Sequence, residues 1–250
     1  MKVLITGASS GIGRDMARYL DSLGYELILV SRSEEDLNKL ATSLKNKSMV
    51  IPMDLSKSDN CYKLYDRVKT ENVDWLINNA GFGLLGNTWE LSLDKELEML
   101  DLNVRAVHIL TRLFLDDMVK RNSGRILNVA SSAAFLPGPS LNTYYATKNY
   151  VAKWSIGLYE ELRRKNINVH ISCLCPGPVN TNFDKVAGVK FSMKGLSSEY
   201  VAKYAIDKAL KNKLVIIPGL SVRLGLFFSR FLSYKSQAKT VYNIQKKKGR

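Results

Sequence analysis

Seven short aliphatic and β-branched runs alternate along the chain with six longer segments of helical periodicity, and no other feature constrains the fold as much. The runs span 2–6, 26–31, 48–52, 73–78, 124–131, 168–175 and 213–217, and the helical segments 11–23, 33–45, 58–71, 92–121, 142–165 and 197–211. Continuously apolar strands separated by helices predict a parallel sheet covered on both faces, an α/β fold wound in both directions. With 250 residues, 46% of them hydrophobic, and no low-complexity linker, one domain is the simplest account. Ser33 followed by Asp36 reads as an N-cap with an acidic first turn. Beyond residue 217 the stretch Val222–Tyr234 reads as a helix with Leu224, Phe227, Phe228 and Phe231 on one face, away from Arg223 and Arg230.

Composition narrows the functional classes. No apolar run reaches the roughly 18–20 residues of a bilayer span. Too few residues precede Gly7 for a cleavable leader, so a cytoplasmic location is expected. Cys61, Cys173 and Cys175 are too few for a disulfide framework. Cys173 and Cys175 share a strand face and His170 points the other way, so buried thiols are expected and no metal site. Lys and Arg number 37 against 23 Asp and Glu, a net charge of +14. Ten of the basic residues and none of the acidic ones lie in 211–250, leaving 27 against 23, or +4, for the rest. The charge is a property of the C-terminal end, which suits phosphate-bearing partners, anionic lipid or simply water.

The chemistry begins at Thr6-Gly7-Ala8-Ser9-Ser10-Gly11-Ile12-Gly13, between the first strand and the first helix. A helix N-terminus presents unpaired N–H groups and a partial positive charge, which suits a pyrophosphate. Gly7 allows the tight turn, Gly11 a close backbone approach and Gly13 helix-on-strand packing. Tyr144 and Lys148, four apart, share one face of a helix, and an ammonium near a phenol favours its ionised form. Tyr145 is the competing phenol, three residues from Lys148. Ser131 and Ser132 both end the fifth strand, and strand alternation would point them apart.

These marks stand in a fixed order with Asn78-Asn79-Ala80-Gly81, Asn103, Tyr144-x-x-x-Lys148 and Pro176-Gly177-Pro178-Val179-Asn180-Thr181. In that order the chain resembles the short-chain dehydrogenase/reductase family over roughly residues 1–217. The resemblance implies a three-layer doubly wound Rossmann fold with a parallel seven-stranded sheet, a dinucleotide-binding and catalytic unit over 1–217, and a basic amphipathic C-terminal extension over 218–250. It implies an NADP(H)-dependent oxidoreductase interconverting a hydrophobic carbonyl and its secondary alcohol. Tyr144 would be general acid/base, Ser131 would hold the substrate oxygen, Lys148 would also hold ribose hydroxyls, and Asn103 would order a water leading to Lys148. Ser131 rather than Ser132 keeps the family's three-residue offset from Asn128.

Cofactor contacts are implied at Gly7, Ser9, Ser10, Gly11, Ile12, Gly13, Ser31, Arg32, Asp54, Leu55, Asn79, Ala80, Gly81, Tyr144, Lys148, Pro176, Gly177, Val179 and Thr181. Asp54 would hold the adenine amino group with Leu55 beside the ring, and Thr181 the carboxamide. Asn78 reads as structural. Ser31-Arg32 replaces the carboxylate that would favour a free 2′-OH, and a guanidinium suits a 2′-phosphate, so NADP(H) is favoured over NAD(H). Glu34 and Glu35 read as first-turn acids.

An apolar substrate is expected from a lid over 182–196 (Phe183, Val186, Val189, Phe191, Met193, Leu196), from Phe135, Leu136, Pro137 and Leu141, and from Phe82, Leu84 and Leu85. The helix at 222–234 is expected to cover the substrate cleft or a partner subunit, with peripheral membrane contact as the alternative. No nucleic-acid partner is expected. A homodimer or homotetramer is expected through the helices at 92–121 and 142–165. Two other functional classes stay open: a non-catalytic dinucleotide-binding scaffold, and a basic membrane-surface protein.

Overall fold

The computed structural model describes residues 1–181 and 195–246. Most of the substrate lid expected at 182–196 lies outside the described residues; Leu196 is inside them. The strands are β1 (Lys2–Thr6), β2 (Glu26–Ser31), β3 (Ser48–Pro52), β4 (Trp75–Asn78), β5 (Gly124–Val129), β6 (Val169–Leu174) and β9 (Val215–Ile216). They form one seven-stranded parallel sheet in the order β3-β2-β1-β4-β5-β6-β9. Two short strands, β7 (Val179–Asn180) and β8 (Leu196–Ser197), pair beside it.

The helices are α1 (Gly11–Ser22), α2 (Glu34–Thr42), α3 (Ser58–Val68), α4 (Leu93–Leu100), α5 (Val107–Lys120), α6 (Asn142–Arg164), α7 (Ser198–Leu210), α8 (Leu220–Ser229) and α9 (Tyr234–Lys246). They cover both faces of the sheet, which makes the architecture three-layered. Residue alternation along the strands feeds two separate cores. Val3 and Ile5 of β1, with Leu27 and Leu29 of β2, pack with Met16 and Leu20 of α1 and Val201 and Ile206 of α7. Leu4, Ile28 and Val30 point the other way, against Leu64 of α3, Phe114 of α5 and Leu158 of α6.

Two helix starts are capped by a serine side chain, α2 by Ser33 as expected and α7 by Ser197. Ser33 accepts from the backbone N–H of Asp36 at 3.3 Å, and Ser197 from that of Tyr200 at 3.2 Å. The helix expected over 92–121 is interrupted by a π-helical turn, Asp101–Ala106, which carries Asn103.

The C-terminal extension departs from expectation. The single helix over 222–234 is two helices, α8 and α9. Gln237 donates to the carbonyls of Ser229 and Leu232, both at 3.0 Å, closing the end of α8, and Ser233 accepts from Ser236 at 3.3 Å to start α9. The first turn of α8 does abut the cleft, since a Cβ on Gly177 would lie 2.7 Å from Val222. Leu224, Phe227, Phe228 and Phe231 are exposed.

Candidate active site

A cleft of about 620 Å³ opens at the carboxyl ends of the strands, where the order turns between β1 and β4. Parallel sheets open a crevice there because neighbouring connections leave on opposite faces. Gly7 and Gly11 sit at φ +65° and +53°, a region costly for residues with a Cβ. A Cβ on Gly11 would narrow the gap to Thr181, meeting its methyl at 3.1 Å. Gly13 does not line the cleft; a Cβ there would lie 2.3 Å from the Gly7 carbonyl, so it holds α1 tightly against the turn. Ser10 makes no side-chain cap, leaving the first-turn N–H groups of α1 directed at the cleft wall formed by Ser9, Ser10 and Ile12.

Ser31, Arg32, Asp54 and Leu55 line one end. Arg32 is two-thirds exposed, and its guanidinium lies 3.7 Å from Glu98 of α4. Glu34 and Glu35 sit in the first turn of α2, and Glu35 pairs with Lys39. Asp54 accepts from the backbone and hydroxyl of Ser56 at 3.0 and 2.8 Å. The middle of the cleft is the loop Asn79-Ala80-Gly81. Buried Thr6 ties it to the glycine turn, its hydroxyl accepting from the N–H groups of Asn79 and Ala80 at 3.0 Å. Asn79 in turn donates to the carbonyls of Thr6 and Gly7. Asn78 is absent from the lining; it donates to Thr111 and Asn128, both at 2.9 Å, deep between β4 and β5.

Ser131, Tyr144 and Lys148 meet at the other end, opposite Pro176, Gly177, Val179 and Thr181. β5 ends at Val129, so strand alternation does not reach the two serines, and Ser132 lines the cleft as well. What separates them is bonding: Ser131 hydrogen-bonds Tyr144, while the backbone N–H of Ser132 donates to the Pro176 carbonyl at 2.8 Å. Lys148 is buried and donates to the Val129 carbonyl at 3.0 Å, with its ammonium 5.8 Å from the centre of the Tyr144 ring.

Burial pulls the Lys148 ammonium down to about 8, against the neighbouring Cys173 and Cys175, which raise it. Those two thiols share a face as expected, with sulfurs 3.7 Å apart. Burial pushes the Tyr144 phenol well above its ordinary value, and the bond to Ser131 only partly opposes this. The lowering expected from the Lys148 ammonium is therefore not achieved by the protein's own groups: desolvation wins. Asn103 is fully buried, and its amide is engaged by the backbone of Phe82 at 2.8 and 3.1 Å and by Thr147 at 3.2 Å. A Cβ on Gly81 would touch both Asn103 at 2.8 Å and Lys148 at 3.3 Å, so these three pack as a unit.

Of the apolar residues expected around a substrate, Phe82 and Leu141 line the cleft, joined by Leu102 and Ala133. Phe135 lines a different cavity, because the 3₁₀ turn Ser132–Phe135 carries it to the far side of the wall. Leu84, Leu85, Leu136 and Pro137 do not reach the cleft lining. The C-terminal extension also reaches the lining. Gln245 of α9 is buried and donates to the Tyr145 hydroxyl at 2.8 Å, occupying the competing phenol.

A family model described as short chain dehydrogenase matches residues 1–189. The chain belongs to the short-chain dehydrogenase/reductase family. It is 34% identical over 215 residues to a very-long-chain 3-oxoacyl-CoA reductase of Mus musculus, covering 81% of this chain and 66% of that one. It is also 34% identical over 221 residues to the ketoacyl reductase HetN of a Nostoc strain, covering 84% and 75%. The chain thus spans two thirds or less of the mammalian reductases it matches, 61% of a human one and 56% of a Macaca fascicularis one. Among solved structures, a Sphingobium yanoikuyae short-chain dehydrogenase in complex with NADPH superposes with TM-score 0.83 at 26% identity, covering 92% of this chain and 93% of that one. A Burkholderia phymatum member in complex with NAD gives 0.84 at 26% identity, covering 92% of each. The fold and the family follow from these.

Proposed function

We propose that this dehydrogenase/reductase is an NADP(H)-dependent enzyme interconverting a hydrophobic 3-oxoacyl thioester, or a similar ketone, and its secondary alcohol. The observation that carries the reading is the half-buried Ser131–Tyr144 hydrogen bond one helical turn from buried Lys148, inside a cleft entered by the glycine turn. The names of the relatives supply the substrate class.

The residues present suit a dinucleotide. Gly7, Ser9, Ser10, Gly11 and Ile12 would hold the pyrophosphate at the start of α1, and Asp54, Leu55, Asn79, Ala80 and Gly81 the adenosine. Arg32 would take a 2′-phosphate in exchange for its exposed pairing with Glu98, a pairing worth little in water. Pro176, Gly177, Val179 and Thr181 would hold the nicotinamide end. Bound there, the cofactor would supply the hydride and, when oxidised, a positive charge that favours phenolate. Tyr144 donates a proton to the substrate oxygen, and Ser131 holds that oxygen while charge develops on it. Lys148, down to about 8, is mostly charged at neutral pH yet ready to pass a proton on, which resupplies Tyr144. Asn103 is a positioning residue that fixes the Phe82 backbone beside Lys148.

The reading extends to a cytoplasmic homodimer or homotetramer, with residues 218–250 an extension of the 1–217 unit. Initial rates of reduced-nicotinamide oxidation test it, using NADPH or NADH against 3-oxoacyl thioesters, ketosteroids and aromatic ketones. NADPH should be preferred roughly tenfold or more, the worth of one charge-assisted phosphate contact. Equal rates with both cofactors would remove the role given to Arg32. No turnover by protein that binds NADPH would favour the non-catalytic scaffold.

A further inference from the structure

A second cavity, of about 950 Å³, lies on the far side of the 3₁₀ turn from the cleft, between α6, α7, β9, α8 and α9. Lys153, Lys208, Lys213, Arg223 and Arg230 line it, and no carboxylate does. None of the five is in an ion pair among the described residues; Lys208 lies 5.4 Å from the Tyr204 ring centre. Five like charges around one hollow repel one another, and an anion relieves that repulsion.

The helix over this cavity buries Leu226 and carries exposed Arg223 and Arg230 along the cavity's edge. Arg223, Leu226 and Arg230 of the α8 segment face the cavity, whereas Leu220, Phe228 and Phe231, at 66%, 63% and 76% exposure, stand in water. Leu224 and Phe227 join them, so the ridge is continuous along one side of the helix. Aromatic clustering of this size on a solvent face marks an interaction surface.

We infer that the α8 ridge and the cationic cavity behind it dock the protein on an anionic phospholipid surface, the cations taking headgroup phosphate and the ridge entering the acyl boundary. Charge complementarity selects this occupant. A symmetric partner copy would set this face against its own, and residues 211–250 offer ten cations and no carboxylate to answer them. A soluble phosphate would answer the cations but leave the aromatic ridge in water. Basic residues beside an apolar ridge are the combination that binds an anionic bilayer interface. No helix among the described residues is long and apolar enough to cross a membrane, so the contact is with one leaflet. The inference stands apart from the reaction assigned to the cleft.

The test is co-sedimentation of the full chain with phosphatidylcholine vesicles, with and without phosphatidylglycerol, for the wild type and two variants. One variant is Phe227→Ser/Phe228→Ser/Phe231→Ser and the other Arg223→Ser/Arg230→Ser. Retained NADPH binding serves as the folding control. The wild type should prefer phosphatidylglycerol vesicles and release them at high salt. The arginine variant should bind roughly thirtyfold more weakly, the worth of two basic residues at such a surface. The phenylalanine variant should lose vesicle binding yet still bind inorganic phosphate. Undiminished vesicle binding by the phenylalanine variant would overturn the proposal in favour of simple charge attraction. A smaller assembly mass for that variant in light scattering would overturn it in favour of a second copy. Equal binding to both vesicle types would overturn it outright.

Discussion

Lys148 carries its charge where water barely reaches, and that has a thermodynamic signature. Its pKa is lowered from 10.5 to about 8 by burial, so the folded state binds that proton less tightly than the unfolded one. The penalty is fully present below pH 8 and is relieved as pH rises from about 8 to 10.5, worth about 3 kcal/mol over that window. Denaturant titrations should therefore show the wild type gaining stability relative to Lys148→Met between those pH values. Parallel profiles would contradict the buried charge. Arg32→Ala should raise KM for NADPH roughly tenfold with little change for NADH, checked by steady-state kinetics.

The residues that local spacing marks were legible: Tyr144 and Lys148 by one helical turn, Gly7 to Gly13 by their place between strand and helix. Glu98 beside Arg32 and Gln245 beside Tyr145 were not. Each contact exists only after segments 66 and 100 residues apart have folded together, and no local pattern encodes it.

At the scale of elements, two glycines on helices separate packing from propensity. Gly157 in α6 has nothing within 4 Å of where a Cβ would stand, so Gly157→Ala should raise Tm by roughly 2–4 °C through helix propensity alone. Gly13→Ala gains the same propensity but drives a methyl into the Gly7 carbonyl, and should lower Tm by roughly 5 °C or more and weaken NADPH binding. Calorimetry on the pair checks both signs. Strands and helices over 1–217 were readable because both faces of the sheet are buried and the runs are uniformly apolar. The π-helical turn at Asp101–Ala106 was not, because inserting one residue barely disturbs a 3.6-residue period. The break between α8 and α9 was hidden for a different reason. An apolar run across it continues the helical pattern, and only the Ser233 cap and the Gln237 bonds reveal the stop.

For the whole molecule, the chain divides its labour. Residues 1–217 carry the sheet and nearly all of the cleft, and the extension contributes Gln245 to the cleft and a cationic, aromatic face beside it. Leu224, Phe227, Phe228 and Phe231 do not line the cleft, and a partner subunit is the other cover expected for them. Leu226 faces the body of the protein with exposed Arg223 and Arg230 beside it, and sequence periodicity defines two faces without saying which is inside. In assembly, Tyr150 on α6 and Leu97 on α4 remain exposed on the helices expected to pair. Light scattering at micromolar concentration should give twice or four times the mass of one chain, and a single-chain mass would contradict the proposed homo-oligomer.

Tyr144 is proposed to move the proton. The decisive comparison is wild type against Tyr144→Phe, reading NADPH binding by fluorescence and 3-oxoacyl thioester reduction by loss of reduced nicotinamide in the same preparations. NADPH binding should be retained and turnover reduced by about 10²–10⁴-fold, the usual contribution of a positioned general acid. A Tyr144→Phe protein that binds NADPH and still reduces the thioester at the wild-type rate would contradict it.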